Sequence, residues 1–357
     1  MELTTLCDLP GVSGREELVR KAVLQACRDA LGKEAVTIDQ MGNVIAHKPG
    51  RNPAAPRKMV CAHMDEAGLM VVSATEEGLL RVRAIGNVDS RMLVSKRVRV
   101  GYPEEGGEPL NGVIGAMAIH LQTAEDRKHV LPIGELYVDI GARDKDEAMS
   151  KAPMGTPVTF APSCVPFGEN RLRGKALDGR VGCHNLLRLL NADVSGDTDF
   201  VFTTLYQVGG LGAVGAAYRL APDAALVLDG AQANRLAPDA ALVLDGAQAN
   251  DLGDTDAVRR LCALGGGCVL HFMDRGAIAQ PAFFAEMAAL AKEASIPYQT
   301  PQALNPAGEA GAVQLARGGA KTCVLSVPVR YPRAPISVVD LGDVEAQYQL
   351  ARRWLEQ

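Results

Sequence analysis

Lys58-Met-Val-Cys-Ala-His63-Met-Asp65-Glu66 is an apolar run that stops abruptly at three groups able to bind or orient a metal ion. Met59 to Ala62 read as a short, fully buried strand, because four apolar residues lie between the charge at Lys58 and His63. In an open α/β sheet, ligands gather beyond the carboxyl ends of strands, which is where His63 and Asp65 would fall. Alternate side chains of an extended segment share a face, so His63 as a ligand and Asp65 as its orienting carboxylate can address one site. A bare His-x-Asp fits a surface turn equally well. The rest of the chain has to decide.

The elements that would position these groups can be read from periodicity. Ser13-Gly-Arg-Glu16 has the form of a capping box, and it opens a helical pattern that runs to Leu31 and stops at Gly32. Ala35 to Ile45 read as two short strands around a turn at Met41-Gly-Asn. From Gly68 to about Phe160 the texture changes to short alternating runs, such as Leu80-Arg-Val-Arg-Ala84 and Arg97-Val-Arg-Val100, between Gly, Pro and Glu clusters. That is the pattern of a small β-rich domain. Helix and strand patterns alternate again after about Arg171, as in a three-layer α/β fold. The expected organisation is a split catalytic domain, residues 1–67 and 161–357, with a β domain at 68–160 inserted after the His63 strand.

Composition narrows the partners. The 357 residues carry 47% hydrophobic and 22% charged side chains, ordinary for a globular protein, and a net charge of −5. That charge gives no basic patch, so nucleic acid and anionic membranes are not expected partners. The N-terminus lacks the basic and apolar regions of a signal peptide, and no apolar run is long enough to span a bilayer. Eight scattered cysteines without a Cys-x-x-Cys pair read as small buried hydrophobes in a reducing cytoplasm. One feature is unusual. Arg219 to Asn234 recurs without a change as Arg235 to Asn250. Two perfect copies of 16 residues are too few and too short for a solenoid, and a sheet needs only one of them.

Leu9-Pro-Gly-Val-Ser-Gly14, Gly42-Asn-Val-Ile45, Ala62-His-Met-Asp-Glu-Ala-Gly68, Ala176-Leu-Asp-Gly-Arg-Val-Gly-Cys183, Ile296-Pro-Tyr-Gln299 and Arg330-Tyr331 occur in this order. Together they resemble the glutamyl and deblocking aminopeptidases, also called tetrahedral aminopeptidases and endoglucanase-M-like proteins, over almost the whole length. The resemblance implies an α/β, three-layer zinc-aminopeptidase-like (phosphorylase/hydrolase-like) catalytic domain with an inserted small β-barrel. It also implies removal of N-terminal residues from peptides by two zinc or cobalt ions, a general-base Glu, and self-assembly into dimers and a tetrahedral dodecamer. Metals lower the pKa of the attacking water and polarise the carbonyl, and a carboxylate takes the proton.

Carried over residue by residue, His63 matches the His ligand, Asp65 its orienting carboxylate and Asp178 the bridging Asp. The Asp usual after Asp178 is Gly179. Asp229 matches the remaining carboxylate of the first metal, and its duplicate Asp245 is an equal candidate. The second site departs from the pattern. Tyr206 stands where the general base belongs, Gln207 where a ligand Glu belongs, and Arg333 where a C-terminal ligand His belongs. His271 is the last of six histidines, so no His lies in the final 86 residues. A guanidinium has no lone pair for a metal, and Gln is a poor ligand beside carboxylates. The expectation is a degenerate, homo-oligomeric member with a peptide substrate or ligand, one divalent ion at most, and little or no activity. Arg333 would pair with Asp178 or Glu309 in place of the lost cation. The rival is a mono-metal hydrolase in which Asp65, Asp178 or Glu66 supplies the base.

Blander roles compete at several positions. Asp178 also suits the N-cap of a helix beginning near Gly179. Tyr206 and Gln207 read as packing or hydrogen-bonding residues, because an ordinary tyrosine is a poor base near neutrality. His120 and His184 read as structural, Cys183 as buried packing, and Pro281 to Ala294 as a core helix.

Overall fold

A computed structural model describes the chain except at 103–107, 221–234, 237–240, 252–260, 302–309, 315 and 318–320; the side chains at 119, 126, 235–236, 241–243, 245, 312 and 316–317 are also undescribed. Helices α1 (Leu3–Asp8) and α2 (Glu17–Leu31) open it. The stop at Gly32 forms as the sequence predicts, with the Gly32 amide donating to the Arg28 carbonyl at 2.9 Å. The capping box does not form. No side chain caps α2, because Ser13 donates to Asp65 and Glu16 accepts from the amides of Gly14 and Leu205. Long-range partners outcompete the local ones.

Strands β1 (Val36–Ile38) and β2 (Val44–Lys48) form the expected hairpin, and β3 (Lys58–His63) is buried along its whole length. Even Lys58 is covered, its ammonium donating to the Trp354 carbonyl at 2.8 Å. The chain then builds a closed barrel from β4 (Gly68–Ala74), β5 (Leu80–Ile85), β6 (Arg97–Val100), β7 (Leu110–Gly115), β8 (Tyr137–Asp139) and, after helix α3 (Lys145–Lys151), β9 (Pro157–Phe160). Its inward positions, among them Leu69, Val82, Val98, Ile114, Val138 and Val158, make a core of their own.

After β10 (Val165–Pro166) and β11 (Arg171–Gly174), helix α4 (Leu177–Leu189) leads to β12 (Thr198–Thr203), α5 (Leu211–Leu220), β13 (Arg235–Leu236) and β14 (Ala241–Gln248). The chain closes with β15 (Cys268–His271), α6 (Pro281–Glu293), β16 (Tyr298–Gln299), α7 (Ala310–Gln314), β17 (Ala316–Arg317), β18 (Thr322–Val329), β19 (Ser337–Asp340) and α8 (Leu341–Glu356). Eight strands form the central sheet in the order β1-β2-β12-β3-β14-β18-β15-β16. Helices α4 and α8 pack on each other and on this sheet, and α5 and α7 form a second pair against it.

Two points of this topology place the site. β12 and β14 flank β3, and both run parallel to it. The chain therefore leaves β3 to one side and later returns on the other, a switch point where strand ends open a crevice. The strand β14 is made from the second copy of the tandem repeat; most of the first copy lies outside the described residues.

Candidate active site

The carboxyl ends of β3, β12 and β14 and the start of α4 meet around His63. Its ring is fully buried. Nδ1 lies 2.9 Å from the main-chain oxygen of Asp65 and 3.6 Å from Oδ1 of the same residue. The carbonyl is thus the nearer orienting group, with the carboxylate behind it. Asp65 is held by donors on all sides: the Ser13 hydroxyl, the Tyr206 amide at 3.0 Å and the Gln207 amide at 3.0 Å. Burial pushes the Asp65 carboxyl up, but His63, Ser13 and the Gln207 amide outweigh it and hold the group below the usual carboxylate value.

Tyr206 lies flat on His63, with ring centroids 3.7 Å apart and planes 7° from parallel. Gly179 backs the imidazole. A Cβ at that position would lie 2.3–2.7 Å from three ring atoms of His63, so only glycine leaves the ring its place. The hydroxyl of Tyr206 accepts from Arg333 Nη2 at 3.2 Å. Tyr206 is thus one partner of Arg333; the sequence pointed to a carboxylate. Glu309, one of the two acids proposed for it, lies outside the described residues. Gln207 turns toward the barrel: a Cβ at Gly86 would meet its Oε1 at 2.6 Å, and its buried Nε2 has no hydrogen-bond partner among the described residues.

Asp178 is buried and sits within the first turn of α4. It is not the N-cap. That place belongs to Ala176, whose backbone is left-handed at φ 57°. Leu205, Tyr331 and Arg333 share this conformation at φ 59°, 57° and 60°. Ala176, Leu205 and Arg333 lie, respectively, two residues from Asp178, one from Tyr206 and in contact with Tyr206, so strained backbone accompanies these side chains. Asp229 lies outside the described residues. Its duplicate Asp245 is on β14, in register with Ser326 of β18, and a Cβ at the next residue, Gly246, would lie 2.9 Å from Asp178 Cα. The backbone at Asp245 therefore runs beside Asp178.

Beneath the crevice, Glu66 belongs to a set of buried charges whose other members, Lys175 and Arg180, the sequence reading gave no role. Glu66 Oε1 accepts from Lys175 Nζ at 2.6 Å, Thr159 Oγ1 at 2.8 Å and the Gly11 amide at 3.0 Å. Arg180 donates to the main-chain oxygens of Met64 at 2.8 Å and Leu9 at 3.1 Å. Tyr102 of the barrel accepts from the Val12 amide at 2.7 Å. These bonds tie the Leu9–Gly14 loop, the end of β3 and the barrel together. Glu16, next to them, has its carboxyl raised to about 7 by burial and by the charge of Asp65. The one signal in the sequence was two cations, Lys175 and Arg180, inside an otherwise buried stretch.

The donor set can be tested against the ions the resemblance implies. His63 and the carboxylates at Asp178 and Asp245 are hard or borderline donors suited to one divalent ion. Tyr206 stacks on the His63 ring and its hydroxyl accepts from Arg333, and neither an aromatic face nor a guanidinium is a metal ligand. Among the described residues, no three His, Cys, Asp or Glu side chains converge as a complete metal site.

The switch-point crevice, the strand-end His63 and the inserted barrel together define an α/β protein of aminopeptidase architecture. The chain belongs to the M42 glutamyl aminopeptidase family, whose pattern matches residues 42–235 and 230–350. It is 32% identical to a lysyl aminopeptidase of Pyrococcus furiosus over 99% of this chain and 95% of that protein. It is 30% identical to a putative aminopeptidase of Acetivibrio thermocellus over 95% and 93%. Among solved structures, an aminopeptidase from the archaeon Desulfurococcus kamchatkensis superposes with a TM-score of 0.88 at 30% identity, covering 99% of this chain and 93% of that one. The TET1 peptidase of Pyrococcus horikoshii, described as assembling into a tetrahedron or a large octahedral shell, gives 0.81 at 27% identity, covering 99% and 98%.

Proposed function

We propose that this protein is a divergent M42 aminopeptidase that binds peptides in the His63 crevice, holds one divalent ion at most, and hydrolyses peptides weakly or not at all. The observation that carries this reading is the flat contact of Tyr206 on His63 with Gly179 behind it. The aromatic ring of Tyr206, at the chain position where the resembled family has its base, is taken up by stacking on His63. His63, Asp178 and Asp245, with water, would hold the single ion, zinc or cobalt. Bound there, it would polarise a peptide carbonyl.

Two of the three substitute bases of the rival reading, Glu66 and Asp65, are poorly placed. Glu66 is ion-paired to Lys175 in the core, its Oε1 also accepting from Thr159 and the Gly11 amide. Asp65 is committed to three donors. The Asp65 carboxyl, held below the usual carboxylate value, is a weak proton acceptor. The test is hydrolysis of aminoacyl chromogenic substrates with added zinc, cobalt or manganese. Rates at background are expected; clear turnover that vanishes in Asp178→Ala would overturn the proposal.

The same reading takes the protein as cytoplasmic and as a homo-oligomer built through the barrel of residues 68–160. The assemblies named for the Pyrococcus horikoshii protein support it, as do exposed apolar side chains at Met117, Leu121 and Val130. None of the helices among the described residues is long and apolar enough to cross a membrane. Light scattering should give a dimer or larger, whereas a dilution-resistant monomer of 37.7 kDa would refute the assembly.

A further inference from the structure

Cys7 and Cys164 share a small apolar core with Leu3, Leu172, Leu177 and Val181. Each thiol acts on the other's acidity, the pairing raising Cys7 and lowering Cys164. The main chain builds this contact. Asp8 Oδ1, at the end of α1, accepts from the amides of Ser163 at 3.0 Å and Cys164 at 3.1 Å, which pins α1 to the segment returning from the barrel. On the far side, a Cβ at Gly174 would lie only 2.8 Å from the Cys164 sulfur, so the thiol has little room to swing away from Cys7. The Cys7 thiol, helped by Lys175 and Arg173, favours negative charge on Cys164 against burial and the Asp8 charge, while burial keeps Cys7 protonated. Neither thiol has a part in the crevice chemistry.

We propose that Cys7 and Cys164 form a reversible disulfide under peroxide, a redox modification site that locks the N-terminal helix to the barrel's return segment. The Cys164 thiolate attacks one peroxide oxygen; the S–O bond forms, the O–O bond breaks, and hydroxide leaves and is protonated to water. Cys7 then loses its proton and attacks the Cys164 sulfur. The S–S bond forms, the S–O bond breaks, and the second hydroxide takes up that proton. Two thiols are oxidised and one peroxide is reduced to two waters. The lock bears on the crevice because α1 runs directly into the Leu9–Gly14 loop. Leu9 is held there by Lys175 at 3.1 Å and Arg180 at 3.1 Å, and Ser13 holds Asp65.

The test uses the full chain, treated with hydrogen peroxide, alkylated with iodoacetamide and digested with trypsin without reduction. The expected product joins the peptide Met1–Arg15 to Ala152–Arg171 in most chains. The melting temperature should rise by about 4 °C, because the bridge closes a loop containing the whole barrel, and dithiothreitol should return it. Cys7→Ser should show no peroxide-induced rise. Recovery of both peptides alkylated or over-oxidised, or of either cysteine bridged elsewhere, would overturn the proposal. Peptide mapping of the wild-type chain gives that answer even if the variant fails to fold.

Discussion

Gly179 and Tyr206 are best understood as one change. The imidazole of His63 occupies a slot with an aromatic wall 3.7 Å away and a backbone wall that admits no Cβ. Glycine within a helix is normally replaced by alanine with a gain of about 1 kcal/mol. Here the sign reverses. Gly179→Ala should destabilise by roughly 1–3 kcal/mol through overpacking, measured by urea unfolding; an unchanged or raised midpoint would mean that the slot yields. Glu16 provides a second test. Its folded-state carboxyl, raised to about 7 by burial and by Asp65, lies above the unfolded value. The group therefore contributes stability that is full below about pH 4.5 and is lost as pH rises through about 7. Glu16→Gln keeps an oxygen for the amides of Gly14 and Leu205 but carries no charge. The variant should gain roughly 1–3 kcal/mol over wild type between pH 5 and pH 8, with no gain at pH 4.5. A gain independent of pH would contradict the burial argument. The sequence showed His63 and the anomalous residues 179, 206, 207 and 333. It could not show that Ser13 and Glu16 serve this site, because their partners at Asp65 and Leu205 are 52 and 189 positions away.

Elements whose signals are local were legible. The β1–β2 hairpin, the buried β3, the stop of α2 at Gly32 and the helix from Pro281 all follow from periodicity and turn residues. The capping box failed because a competing tertiary bond is invisible to local pattern. The tandem repeat had two readings from sequence, since identical segments have identical propensities. Position in the sheet separates them: β14, from the second copy, pairs in parallel with both β3 and β18. Removing residues 219–234 leaves the same 16-residue segment between α5 and the sheet. That deletion should fold with a melting temperature within a few degrees of wild type, since shortening a loop changes closure entropy by less than about 1 kcal/mol. Loss of cooperative unfolding would show that both copies are structural.

At the scale of the whole molecule, barrel and sheet are joined beneath the crevice by Glu66, Lys175, Thr159 and Tyr102. Breaking a buried ion pair such as Lys175–Glu66 leaves an uncompensated charge, so these residues hold the architecture whether or not the protein hydrolyses anything. This separates fold from activity. On the proposed reading, the strand-end site, the barrel and the family persist while a stacked tyrosine and an arginine stand in place of the groups that would complete two-metal chemistry. Metal stoichiometry tests that claim most directly. The full-length protein should be loaded with excess zinc or cobalt, dialysed, and measured for metal per chain by elemental mass spectrometry. At most one ion per chain is predicted, lost in Asp178→Ala; two ions per wild-type chain would contradict the account.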